Sequence, residues 1–199
     1  MQVLERDKRE IEIRVSKMSD FLKMEYLESC LKKFTDHEIQ KFCTLELAKL
    51  YESKSMYPEA IKYIFKFQEI TGNPAEKKKA AQKEIELLIR GGYYEKADAV
   101  VKKTAAIMND IERMELKRNI IMSYKAIAER AEKSGRNAES AKVYEKLVNY
   151  VSDNEKNEIK RKLLDSYKKL GKIRESIELE HDLERVPGNN EPRKRVWSF

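Results

Sequence analysis

Glycine and proline are scarce in this chain, at six and four residues of 199. So few breakers leave little room for the many tight turns of a sandwich or barrel. No segment alternates apolar and polar residues with β-branched enrichment, so strands are not expected. Nothing approaches eighteen consecutive apolar residues, which excludes a transmembrane helix. The opening MQVLERDKRE has no apolar stretch behind a basic one, so no signal peptide is expected. Only His37 and His181 are histidines, far apart and without metal-ligand spacing around them. The two cysteines, Cys30 and Cys43, sit at apolar-flanked helical positions and read as thiols of a cytoplasmic protein. Gly91-Gly92 lies between helical patterns instead of following a strand, so it is a turn and not a phosphate loop. Neither catalysis, a metal nor a cofactor is expected.

What is abundant points one way. Ala, Glu, Lys, Leu and Ile dominate, residues that lose little rotamer freedom in a helix. Charged residues make up 39% of the chain and the mean hydropathy is −0.75. That is more polar surface than one compact core needs, and it suits an elongated stack of helices. The net charge of +7 is unevenly placed. Residues 1–100 carry 19 basic and 18 acidic groups, a balance of +1, against 23 and 17, or +6, in residues 101–199. Three of those later charges are Arg193, Lys194 and Arg195, so the body has a mixed-charge surface and no concentrated basic stripe.

Residues 47–74 show the organising pattern. Leu47, Leu50 and Tyr51 share a helical face, and after a break at 53–56 the run Tyr57-Pro58-Glu59-Ala60 starts a second helix. Ile61, Ile64, Phe65 and Phe67 give that helix an apolar face before Gly72-Asn73-Pro74 ends it. Two antiparallel helices with a tight turn make one αα-hairpin. The design recurs around Gly91-Gly92, Ser134-Gly135 and Leu170-Gly171. Aligning the turns sets Ala60, Ala97, Ser140 and Ser176 in register, at separations of 37, 43 and 36 residues.

On those residues the chain resembles the tetratricopeptide repeat family. That family repeats W-x₂-L-G-x₂-Y, A-x₃-F and P with a period of about 34. Leu47-Ala48-x₂-Tyr51, Ala60-x₃-Ile64 and Pro74 follow it, as do Tyr124-x₂-Ile127-Ala128 with Ser140-x₃-Tyr144. Ala97-x₃-Val101 is a half match and the segment from Leu163 to Ser176 is the faintest. The resemblance implies an all-α, right-handed α-solenoid of stacked antiparallel hairpins. One domain is expected over residues 1–186, with N-terminal helices in 1–38 and hairpins at 39–74, 78–110, 119–151 and 155–185. A basic and aromatic tail, 187–199, follows.

The family holds partner peptides in a groove lined by the first helix of each hairpin. Projected onto this chain, the groove residues are Phe42, Leu45, Lys49, Lys79, Gln82, Glu86 and Arg90, then Met122, Lys125, Glu129, Lys133, Arg161, Asp165 and Lys168. The Lys-Asn clamp of the chaperone-binding members is not matched, because Lys125 and Arg161 are each followed one turn later by an acid, Glu129 and Asp165, expected to neutralise them. A mixed-charge groove suits an amphipathic helix or a charged extended segment of another protein. The expected function is therefore a non-enzymatic, cytoplasmic adaptor or scaffold. A nucleic-acid partner is the alternative, drawn from the basic second half. Self-association through the apolar content of residues 21–34 is a third. In the tail, Arg193, Lys194, Arg195, Trp197 and Phe199 form a candidate linear motif, with a packed chain end as the competing reading.

Overall fold

The structure, a computed structural model, describes residues 3–184. Among them every regular element is an α-helix: α1 (Lys8–Ser16), α2 (Asp20–Lys33), α3 (His37–Ser53), α4 (Tyr57–Ile70), α5 (Pro74–Arg90), α6 (Tyr94–Ala106), α7 (Asp110–Lys133), α8 (Asn137–Leu147), α9 (Asp153–Lys169) and α10 (Ile173–Glu184). The chain forms two compact units that divide inside α7, one running to Ser123 and the other starting at Tyr124. In the first, α2 packs on α3, α3 on α4, α4 on α5 and α5 on α6; in the second, α8 packs on α9 and α9 on α10. This is an all-α arrangement of helices packed in adjacent pairs, as a helical repeat requires.

Four turns share one geometry. Ser55, Gly92, Gly135 and Gly171 occupy the left-handed region, with φ of 58°, 79°, 67° and 68°. The next residue closes each turn. The N–H groups of Met56, Tyr93, Arg136 and Lys172 donate to the carbonyls of Tyr51, Leu88, Ala131 and Tyr167 at 2.9, 2.8, 2.8 and 3.0 Å. That closure satisfies carbonyls the ending helix would otherwise orphan. Two residues past each left-handed position a new helix begins, and five residues past it lies Ala60, Ala97, Ser140 or Ser176. Those four side chains are 0%, 1%, 0% and 6% exposed, which places the small residues of the repeat inside the packing, as their register implied.

Short polar side chains cap four of the other starts, those of α1, α3, α5 and α7. Asp36 accepts from the Ile39 N–H and opens α3, and Asn73 accepts from the Ala75 N–H ahead of Pro74, the first residue of α5. At α7 a reciprocal box forms: the Glu112 N–H donates to Asn109 Oδ1 and the Asn109 N–H to Glu112 Oε2, both at 2.9 Å. This box starts the helix at 110, nine residues before the expected start of the third hairpin at 119. From there α7 buries one residue per turn, Leu116, Ile120, Tyr124, Ala128 and Ala131. The N-terminal region also differs from expectation. Residues 3–6 are not helical, and Glu5 instead accepts from the Tyr26 hydroxyl and pairs with Arg14, while Lys33 donates to the Val3 carbonyl.

Two apolar clusters sit in the first unit. One joins Ile11, Val15, Tyr26, Leu27, Cys30, Ile39, Cys43 and Leu47; the other joins Ala48, Ala60, Ile64, Phe67, Ala80 and Leu87. Both cysteines are buried free thiols within the first.

Ala60→Arg and Ala97→Arg should each lower stability by about 2–4 kcal/mol in a thermal or urea melt, because each buries an unpaired charge in an already packed crossing. Gly135→Ala should cost about 1 kcal/mol through backbone conformation alone, since a Cβ there meets no atom within 4 Å. Ser55→Gly should shift the melt the other way by about 0.5–1 kcal/mol.

Candidate partner-binding groove

Because α3 and α5 both pack on α4, a cleft of about 450 Å³ is left between them. Its floor is apolar: Phe42 and Leu45 from α3, Ile64 and Phe67 from α4, and Ala80 from α5. The floor follows from helical spacing, since 42 and 45 lie one turn apart, as do 64 and 67. The rim is charged. Lys41 sits 3.0 Å from Glu76 and 3.3 Å from Glu38, and Lys49 sits 2.6 Å from Glu46. Lys8 of α1 reaches over the Phe42 ring at 5.9 Å. Among the described residues Lys79 makes no ion pair.

Hydrogen bonds tune this rim. The Thr71 hydroxyl, and after it the Lys41 ammonium, hold the Glu76 carboxyl below the usual carboxylate range. The Glu76 carboxylate in turn raises Lys41. Beyond Lys79, Lys83 lies 2.9 Å from Glu52 and 3.0 Å from Glu86, and Arg90 pairs with the same two carboxylates. Burial pulls Lys83 down, but these carboxylates more than offset it and leave its pKa raised. Pairs of this kind recur between successive first helices. Lys41–Glu76, Glu52–Lys83 and Lys78–Glu112 are 35, 31 and 34 residues apart, close to one repeat.

A second cleft, about 390 Å³, follows between α5 and the first half of α7, lined by Gln82, Ile85, Glu86, Ile89, Leu116, Ile120 and Met122. Lys79 and Lys83 border both clefts.

The structure brings together four of the sequence-derived candidates, Phe42, Leu45, Lys49 and Lys79, in the first cleft, and it puts Gln82 in the second. Arg90 lines neither; it is held by Glu52 and Glu86 and stacks over the Tyr57 ring at 5.4 Å. Lys125, Glu129, Arg161 and Asp165 lie in the second unit, and there the expected pairing is corrected. Among the described residues Lys125 pairs with Glu155 of α9 at 2.7 Å, not with Glu129, and Asp165 pairs with Lys169, not with Arg161. The reason is orientation: an acid four residues before a base is favoured over the reverse order, so Asp165 takes Lys169. Glu129 and Arg161 are exposed. Arg193, Lys194, Arg195, Trp197 and Phe199 lie outside the described residues. Lys41, Glu38 and Glu76 are rim residues that the sequence projection missed. Lys41 was legible, four residues before Leu45 on the same face, whereas Lys8 reaches the groove only through tertiary packing.

No known family model matches the sequence, and no curated protein does. Among solved structures, the chain is similar to BtubC (BKLC) from P. vanneervenii, at 12% identity over 96% of this chain and 82% of that one, with a TM-score of 0.37. A likeness that loose carries no argument about function.

Two outcomes check the groove's electrostatics. Glu52→Gln should cost about 1–2 kcal/mol in a urea titration, by removing the carboxylate shared by Lys83 and Arg90. Since the folded-state pKa of Glu76 is lowered, its contribution is present above the ordinary carboxylate range and lost as pH falls through the lowered value. Followed by NMR titration, that pKa should rise more in Thr71→Val than in Lys41→Met.

Proposed function

We propose that this chain is a partner-binding helical-repeat module of the tetratricopeptide kind, which holds a segment of another protein in the cleft between α3 and α5. The observation that carries the reading is the cleft's construction: an apolar floor from three helices beneath a rim of alternating lysines and glutamates. An amphipathic helix fits that construction, its apolar side chains reaching Phe42, Leu45 and Phe67 and its polar ones meeting the rim. The rim pairs lie between one-fifth and two-thirds exposed, so they contribute register and specificity more than affinity.

The nucleic-acid alternative draws less support. Residues 124–184 carry 14 Lys and Arg against 13 Asp and Glu, and Lys125, Lys160, Lys162, Lys168 and Lys169 each face a carboxylate, so the net charge offered to phosphates is small.

A cross-linked pull-down read by mass spectrometry tests the proposal, with the wild-type chain and a Leu45→Glu, Lys49→Glu variant as baits. The wild type should retain a specific protein that the variant loses. Equal recovery by both baits, or nothing above an unrelated helical control, would end the reading, and a gel shift at low ionic strength that responds steeply to salt would favour the alternative.

A further inference from the structure

A different cleft opens between α2 and α4, with a volume of about 530 Å³. The helix α4 lends Ile64 and Phe67 to the groove described above, and it gives Lys62, Phe65 and Lys66 to this one. Opposite them stand Leu31 and Lys32 of α2. Phe65 is 52% exposed, unusual for a phenylalanine in a chain whose other groove aromatics are half-buried or better.

The charge here is also unlike that of the first groove. There, Lys41, Lys49 and Lys83 are each neutralised in place by a neighbouring carboxylate, and among the described residues only Lys79 of that lining is left open. Here, Lys32, Lys62 and Lys66 form no ion pair among the described residues. Of the two acids in the lining, Glu28 and Glu69, Glu28 is already engaged, accepting from the Tyr51 hydroxyl at 2.9 Å and the Tyr63 hydroxyl at 3.0 Å. Those tyrosines stack on each other with centroids 5.5 Å apart, which fixes Glu28 against the cleft wall. The result is three ammonium groups outside any ion pair, against one engaged and one exposed carboxylate, around one exposed aromatic ring.

We propose that the α2–α4 cleft is a second docking surface, for an acidic amphipathic helix of a partner protein. Its carboxylates take Lys32, Lys62 and Lys66, and an apolar side chain covers Phe65. Lys62 and Lys66 are one turn apart on α4, so carboxylates one turn apart on a helix laid along it meet both. A nucleic acid fits less well. Its phosphates recur at every nucleotide and would meet Glu28 and Glu69 in the same lining, and three lysines neutralise too few of them to hold it at physiological salt.

The test uses the full chain and a fluorescein-labelled peptide of about 16 residues, composed of Glu, Leu and Ala and long enough to form a helix on binding. Fluorescence anisotropy at physiological salt should show binding that weakens at least about tenfold in Lys62→Glu, Lys66→Glu. Phe65→Ala should weaken it several-fold. Leu45→Glu, Lys49→Glu, in the other groove, should leave it within about twofold, so failure here and failure of the first groove are told apart. A matching peptide with Lys in place of Glu should bind the Lys62→Glu, Lys66→Glu variant better than the wild type. The altered side chains are exposed or half-exposed, and melting curves check the fold; Lys62→Gln, Lys66→Gln replaces the reversal if it melts early. No binding by the wild type, equal binding by the variants, loss only in the other groove's variant, or tighter binding of an oligouridylate through the same lysines would each overturn the proposal.

Discussion

Two helices can approach only as closely as the bulkiest side chain at their crossing allows, and the whole chain is arranged around that limit. Five residues past each of the four left-handed turns the side chain is small, Ala60, Ala97, Ser140 or Ser176, and all four are buried. Where the small residue is a serine its hydroxyl must be satisfied as well. Ser140 contacts the Ser166 hydroxyl at 3.1 Å and donates to the Asn137 carbonyl, and Ser176 donates to the Lys172 carbonyl at 2.7 Å. The left-handed residue five positions earlier sets the angle at which the second helix returns, so turn and crossing act as one unit. A bulky side chain at the crossing would push the helices apart and empty the neighbouring cluster of its contacts.

Within the first unit, α3, α5 and the first half of α7 lie side by side, and charge takes over from packing. The ion pairs that bridge them, such as Lys41–Glu76 and Lys78–Glu112, are partly exposed, so each contributes little to stability. What they supply is register: a shift of one turn along the helix would put like charges opposite each other. The same pairs decide the character of the grooves. Where most lysines have a carboxylate, as in the α3–α5 groove with only Lys79 open, the surface is mixed and selective; where three have none, as between α2 and α4, it is an open site for an anion.

Much of this was legible from residue spacing. The all-α class, the four hairpins and the register of the small residues all follow from apolar periodicity and scarce breakers, because helix and turn formation are local. The Asn109–Glu112 box was legible too, as a polar cap three residues before a glutamate, although apolar spacing alone marks a later start. Within the candidate groove, Phe42, Leu45, Lys49 and Lys79 could be found by projecting one helical face. The floor could not be completed that way, because Ile64 and Phe67 come from the intervening helix and turn toward the cleft only when α3 and α5 flank it.

The sequence by itself determined that the chain is helical, where it turns back and which small side chains recur after each turn, since each of these depends on interactions within a few residues. Tertiary structure alone decided which charges find partners on other helices. Lys125 takes Glu155 from another helix over Glu129 on its own, and Lys8 arrives at the groove from a helix far along the chain from α5. Those choices depend on distances between elements that no local pattern encodes, and they separate the neutralised groove from the cleft whose lysines stand open.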